Sequence, residues 1–333
     1  MASLGHVAVG MAAARIHDRA RPTLPSMVLW SALSLLPDID VIGFRLGVRY
    51  GDPWGHRGAT HSLAMAIAIG VAVGVAARGV TRPAVRTALG ASAVLASHGL
   101  LDTMTDGGLG CALLWPFDLT RYFAPWRPIP VAPIGLGMLS IYGVMVVLAE
   151  LAIFAPVFLF ALRSPALATR HVVPLMALWL AAFSIVESSP RMRDGIAGSL
   201  FRDRTSYPAG FSEAAFRGIA PGQSESEVRR RLGAPFGESW IYATDSRPPD
   251  ERPLPAEHAC LLVAFEGGAV ARVYDADACR ARGVTVGLSN RDVERVLGAP
   301  PESCWQYSRG TGRPFRQRGV CFSNGGVRWI VAR

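Results

Sequence analysis

The sequence predicts an α-helical multi-pass membrane domain followed by a soluble α+β domain, and three observations carry that prediction. The chain is 50% hydrophobic and only 18% charged, against about 25% charged in ordinary globular domains, and its mean hydropathy is +0.28. The charge is also unevenly spread: residues 1–200 hold 15 Arg and 10 acids, while residues 201–333 hold 19 Arg and 15 acids. Residues 214–333 contain an internal repeat. The boundaries that follow are a membrane-embedded domain over 1–187, a linker over 188–213 and a duplicated α+β domain over 214–333. The linker is broken by Pro190, Gly195, Gly198, Pro208 and Gly210, residues that interrupt a long helix. The two repeats run from 214 to 278 and from 279 to 333.

A spanning helix needs about 20 mostly apolar residues. Ser62–Ala77 is uncharged, and a second apolar run follows Arg78, Arg82 and Arg86 and reaches Leu101. A third, Ile129–Leu162, carries one charge, Glu150, and a fourth covers Val172–Val186. These four are the expected spans. Leu4–Ala14 and Leu24–Leu36 are too short to span and read as re-entrant or interfacial helices. The start, Met1 to Arg15, has a histidine inside its apolar stretch and no small-residue cleavage pattern, so no signal peptide is expected.

Arginine counts on the two sides of this topology are equal, five against five, so the positive-inside rule decides little. The compact, acid-free loops Arg78–Arg86 and Arg163–Arg170 are taken as cytoplasmic, which puts the C-terminal domain in the periplasm. Cysteine usage agrees, because Cys260, Cys279, Cys304 and Cys321 all fall in the tail, an even number suited to an oxidising compartment. The net charge of +9 comes entirely from arginine. It forms no dense run or aromatic-interleaved stripe, which excludes nucleic acid as a partner.

Ionisable residues at membrane helices are costly and default to function. Here they cluster: His6; Pro37-Asp38-Ile39-Asp40; His56-Arg57-Gly58-Ala59-Thr60-His61-Ser62; and Ser97-His98 through Asp102, with Asp106 beyond. Two consecutive antiparallel helices bring the start of one beside the end of the other, so His61, His98 and Asp102 share one membrane face. His98 and Asp102 are four apart and point the same way on a helix. Imidazole and carboxylate without thiolate suit a divalent metal, Zn²⁺ as the leading choice with Mn²⁺ or Fe²⁺ as alternatives. The expected ligands are His6, Asp40, His56, His61, His98 and Asp102, with Asp38 and Asp106 as catalytic carboxylates. Arg57, Arg121 and Trp115 are the expected substrate contacts, the arginines for an anionic head group. Each has a plainer reading: Asp38 or Asp40 as a helix cap, His6 as packing, and Trp115 with Trp54, Phe117 and Trp126 as an interfacial aromatic belt. His17, beside Arg15 and Arg19, reads as an interfacial surface residue.

Together, Gly5-His6, Pro37-Asp38-Ile39-Asp40, His56-Arg57-Gly58-Ala59-Thr60-His61-Ser62 and Ser97-His98 through Asp102 resemble the YdjM-type family of inner-membrane proteins over about residues 1–190. That resemblance implies a metal-dependent hydrolase and names no substrate. A lipid or other amphipathic phosphoester suits a site at the membrane surface. Two further readings stand beside it: an ion or proton transporter, and a non-catalytic envelope scaffold with a degenerate site.

The tail repeats itself. Gly218-Ile219-Ala220-Pro221-Gly222-Gln223-Ser224 leads to Val228, Leu232-Gly233-Ala234-Pro235, Trp240 and Tyr242; Gly283-Val284-Thr285-Val286-Gly287-Leu288-Ser289 leads to Val293, Leu297-Gly298-Ala299-Pro300, Trp305 and Tyr307. Ser224 and Ser289 cap short helices, each Leu-Gly ends one, and glycine turns close the hairpins that follow. The pattern resembles the BamE/SmpA-like envelope module without its lipoprotein cysteine, which implies an envelope protein partner for the tail.

Overall fold

The computed structural model describes residues 3–18, 22–48, 50–79, 84–134, 138–162, 169–189, 192, 205–244, 259–275, 283–310 and 316–332. Its N-terminal part is helical: α1 (Ser3–Asp18), α2 (Leu24–Leu35), a 3₁₀ segment (Leu36–Leu46), a 3₁₀ turn (Ala59–His61), α3 (Leu63–Ala76), α4 (Ala84–Thr103), α5 (Ile141–Leu162) and α6 (Thr169–Ser188). Helix α1 packs on α2, α4 and α5, and α3 packs along α4. The α3–α4 contact is backbone-close. A side chain on Gly70 or Gly74 would run into Ser92 and Ala88, the small-residue packing that membrane helices favour.

Among the described residues, three helices are long and apolar enough to cross a membrane: Leu24–Leu46, Ala84–Thr103 and Tyr142–Leu162. This redistributes the four expected spans. Leu24–Leu36 is not a short interfacial helix, because the 3₁₀ segment extends it to 23 residues. Leu63–Ala76 and Pro174–Val186 are apolar but shorter. Of the third run, Ile141–Leu162 is α-helix, while Ile129 pairs with Thr105 in a loop.

The switch from α to 3₁₀ falls at Leu36-Pro37, where proline lacks the N–H that an α-helix would use. In a 3₁₀ helix residues three apart eclipse, and the burial follows that period. Asp38 and Phe44 face inward with half-buried Val41 between them, while Ile39, Ile42 and Arg45 face outward. One short segment thus shows carboxylate to the interior and aliphatic side chains to the outside.

The C-terminal part is β-rich. Helix α7 (Glu213–Arg217) precedes α8 (Glu225–Leu232), strands β2 (Gly237–Thr244), β3 (Ala259–Glu266) and β4 (Ala269–Asp275), helix α9 (Asn290–Leu297), and strands β5 (Glu302–Gln306), β7 (Arg318–Ser323) and β8 (Gly326–Ala332). The short strands β1 (Thr205–Ser206) and β6 (Arg309–Gly310) pair separately. The large sheet is antiparallel throughout, in the order β4-β3-β2-β5-β7-β8. Ser224 and Ser289 cap their helices, and Gly233 and Gly298 end them at φ 77° and 81°.

The two sequence copies are interleaved. Val228 and Leu232 of α8 pack on Trp305, Tyr307, Val320 and Phe322 of the second copy. Val293 and Leu297 of α9 pack on Trp240, Val263, Phe265 and Val270 of the first. The backbone repeats the exchange, with Gly222 and Gln223 bonding Val327 while Gly287 and Leu288 bond Val270. Each helix therefore covers the other copy's hairpin. Cys304 and Cys321 face each other across β5 and β7 and are disulfide-bonded; Cys279 and the Cys260 side chain, like most of the expected linker, lie outside the described residues. Cys111 is a buried free thiol, and burial pushes it up to about 12.

The other face of the sheet rests on the N-terminal part. Ile241, Leu262, Cys304, Cys321, Trp329 and Val331 form one core cluster with Phe44, Tyr50 and Leu109. Gly108 and Ile330 exchange backbone hydrogen bonds of 2.7 and 3.0 Å.

Candidate metal centre

Four segments converge beneath this contact. Helix α1 brings His6, the 3₁₀ segment Asp38 and Asp40, the loop and turn before α3 His56, Arg57 and His61, and the end of α4 His98 and Asp102. All eight are buried. Ser62 caps α3 by accepting from the Met65 N–H, which fixes His61 at the helix start, and the four-residue spacing puts His98 and Asp102 on one side of α4.

Asp38, His61, His98 and Asp102 each offer one ligand atom, and these atoms lie within 4.8 Å of one another. His98 Nε2 is 3.1 Å from His61 Nε2. The Asp38 Oδ1 lies 3.4 Å from both imidazole nitrogens, and Asp102 Oδ2 is 3.7 Å from His61 Nε2. Around a tetrahedral ion with bonds of about 2.0–2.2 Å, ligand atoms stand roughly 3.3–3.6 Å apart. Both Asp38 oxygens are buried and make no well-formed hydrogen bond, a costly state that a cation would relieve. The charge count agrees. Asp38, Asp40 and Asp102 bring three negative charges against the one of Arg57, so a divalent cation neutralises the cluster. The residues fit a metal.

The remaining groups orient these four. Asp40 accepts from His56 Nδ1 at 2.8 Å and from the Thr60 hydroxyl at 2.6 Å, and its second oxygen is 3.2 Å from His61 Nδ1. His98 Nδ1 donates to the Ser34 carbonyl at 2.7 Å, which leaves its Nε2 turned to the centre. Such partners fix the tautomer and aim of a ligand imidazole. Asp40, His56 and His61 also form a second group of metal-binding types, with His61 common to both. His6 stacks on His98 with ring centroids 3.7 Å apart and lies 3.3 Å from Asp102 Oδ1.

Burial pushes His56 down, against the raising effect of Asp40. Burial also pushes His61 down, but its hydrogen bonds to Asp38 and Asp40 outweigh it and hold it up to about 9. Arg57 is fully buried at φ 62°. Its Nε is 3.0 Å from Asp102 Oδ2, and its Nη1 donates to Thr105 Oγ1 and the Gly107 carbonyl. Its Nη2 has no hydrogen-bond partner.

Three expected site residues are used elsewhere. Asp106 accepts from the Val131 N–H at 2.9 Å and ties two loops together. Arg121 donates to the backbone carbonyls of His56, Tyr50 and Asp52, which commits it to clamping the loop. Trp115 packs edge-on to Trp54. His17 is buried, not on the surface, at 3.2 Å from Thr87 Oγ1 and against Trp30. Sequence reasoning missed the Ser34 carbonyl, which no sequence pattern marks, and Thr60, whose only signal was its place between the two histidines. It also missed Glu150 as a cap: that carboxylate accepts from the Leu4 and Gly5 N–H groups and pins the start of α1.

Comparison with known proteins bears on the N-terminal part. The YdjM inner membrane protein family matches residues 1–188. The inner membrane protein YbcI of Escherichia coli (strain K12) is 41% identical over 132 residues, 38% of this chain and 76% of that protein. No solved structure matches.

Proposed function

The chain belongs to the YdjM inner membrane protein family, and on that footing we propose that it is a membrane-bound, metal-dependent hydrolase of an amphipathic phosphoester. The observation that carries this reading is the convergence of four buried ligand atoms from Asp38, His61, His98 and Asp102 within 4.8 Å of one another. A divalent ion bound there, Zn²⁺ first among the candidates, would activate water and polarise a phosphoryl oxygen. The protein's own groups supply the rest. Asp40 and the Ser34 carbonyl aim the imidazoles. The unpartnered Arg57 Nη2 offers a fixed donor for an anionic oxygen. Ile39 and Ile42, outward on the same 3₁₀ segment as the two carboxylates, favour a substrate that approaches with its apolar part in the bilayer.

The Cys304–Cys321 disulfide supports a periplasmic C-terminal domain. The interleaved repeats there support the BamE-like reading, with an envelope protein as the partner of their outer, helical face.

The test is elemental analysis of detergent-purified protein. Wild type is expected to carry about one tightly bound Zn, Mn or Fe per chain, lost in both His98→Ala and Asp102→Ala. Wild-type protein that stays metal-free after reloading overturns the proposal.

A further inference from the structure

We infer that the C-terminal sheet is a structural part of the metal centre, with Trp329 acting as a positioning residue for His56 and Arg57. This rests on the metal reading above and deepens it. Among the described residues the tail adds no member to the candidate ligand groups, yet two separate paths run from β8 into the cluster.

The first path is aromatic. Trp329 lies edge-on to Tyr50 with centroids 4.5 Å apart, and Tyr50 lies edge-on to His56 at 5.1 Å. Both aromatic residues are buried, in the cluster that joins sheet and cap. His56 in turn shares the Asp40 carboxylate with His61. Trp329 therefore backs the Tyr50 ring that packs on His56, and its removal leaves Tyr50 free to turn away from the imidazole.

The second path runs through the backbone. Ile330, next to Trp329, pairs with Gly108, and the Gly107 carbonyl accepts from Arg57. Arg57 stands against Asp102. The approach leaves little room for a side chain. A Cβ on Gly107 would meet Ala332 and the Ile330 carbonyl at 3.0–3.1 Å, and Gly108 sits at φ +93° against Arg57 Nη1.

The duplication supplies an internal control. Phe265–Val270 and Phe322–Val327 are the same hairpin in the two copies, with a bulge at the same place. The position matching Trp329 is therefore Arg272, which is exposed and contacts Tyr274. One copy carries a large aromatic residue where the sheet meets the cap. The other carries a solvated arginine where it does not.

Outer partners of metal ligands change affinity by about 10–100-fold when removed. Full-length protein in detergent is stripped and titrated with Zn²⁺ against a competing chelator, and with Co²⁺ to read its absorption bands. Trp329→Ala is expected to weaken Zn²⁺ binding by about 10–100-fold and to shift the Co²⁺ bands, with the number of ions per chain unchanged. Trp329→Phe should recover most of the loss, and Arg272→Ala should match wild type. Tyr50→Leu breaks the aromatic path from the cap side and should reproduce Trp329→Ala if that variant fails to fold its tail. Wild-type affinity and spectra in both Trp329→Ala and Tyr50→Leu overturn the inference while leaving the metal reading intact. A wild type that binds neither ion overturns both.

Discussion

The membrane helices and the tail bury opposite kinds of residue. In the helices, Ile67, Val71, Val75, Leu89, Leu159 and Leu178 face outward, while His6, Asp38, His98 and Asp102 are sealed inside. In the tail, Val228, Leu232, Val263, Val293 and Phe322 form the interior, and arginine and glutamate cover the outside. In hydrocarbon a leucine gains nothing by turning inward, whereas an ionised carboxylate must. In water the apolar side chain drives burial. A buried charge therefore means different things in the two regions. In the tail, Glu213 and Arg318 form a closed pair with two contacts of 2.9 and 3.1 Å and a further bond from Tyr207. In the membrane half the carboxylates outnumber their cations, and the Asp38 oxygens make no well-formed hydrogen bond.

That contrast breaks if the two kinds of buried charge respond alike to neutralisation. Glu213→Ala removes the carboxylate that Arg318 faces at 2.9 and 3.1 Å and should destabilise the tail by about 3–5 kcal/mol. Glu213→Leu with Arg318→Met should recover most of this, because a buried ion pair is often replaceable by apolar residues. The corresponding change at the centre, Arg57→Met with Asp102→Leu, abolishes metal uptake whatever its effect on stability. The pH dependence carries a sign. Burial pushes the Glu213 carboxyl up, but Arg318 outweighs it and holds the group below its ordinary range. The pair's stabilisation is then present above the unfolded carboxyl value of about 4.3 and is lost as pH falls through the lower folded value. Thermal melts of the tail across pH 3–6 should show this acid loss in wild type and lack it in Glu213→Ala, within the usual linkage relation.

Much of this was legible from residue types because each region announces itself by its exceptions. In the first half, the histidines and aspartates stood out against an apolar background, and the i, i+4 spacing of His98 and Asp102 placed them correctly together. Which of them face the centre was not legible. Asp40 and Asp38 are two residues apart, and the 3₁₀ backbone after Pro37 and the bond from His56 Nδ1 put them in two different candidate groups. Asp106 and Arg121 looked equally functional, yet backbone groups of nearby loops consume them. In the tail, the helix starts, the glycine stops and the hairpins followed from local rules. The exchange of helices between copies did not, since Val228 carries no sign of which hairpin it covers. Nor could hydropathy show that Trp329 faces the cap and not solvent.

The exchange itself is open to a sharper test of smaller size. Val228 and Val293 are fully buried on the two helices, and truncation of either to alanine should cost roughly 2 kcal/mol from two lost methyl groups and the cavity left behind. The informative quantity is where the loosening falls. Val228→Ala should speed hydrogen exchange in β7 and β8 of the second copy, and Val293→Ala in β3 and β4 of the first. Faster exchange in the hairpin of the mutated helix's own copy would mean that the copies fold as separate units.

The smallest effect expected lies one turn from Val293. Ser289 caps α9 and its hydroxyl also bonds Asp292, so Ser289→Ala should cost about 1 kcal/mol. Arg295 pairs with Asp292 at 2.9 Å, but its side chain is 77% exposed, and water offers both ions nearly as good a partner. Arg295→Ala is therefore expected to leave the tail's melting midpoint unchanged within error. A clear drop, comparable to that of Val293→Ala, would show that charge on the outer face contributes to the tail as it does at the centre. The division between a tail held by apolar packing and a membrane half organised by buried charge would then be wrong.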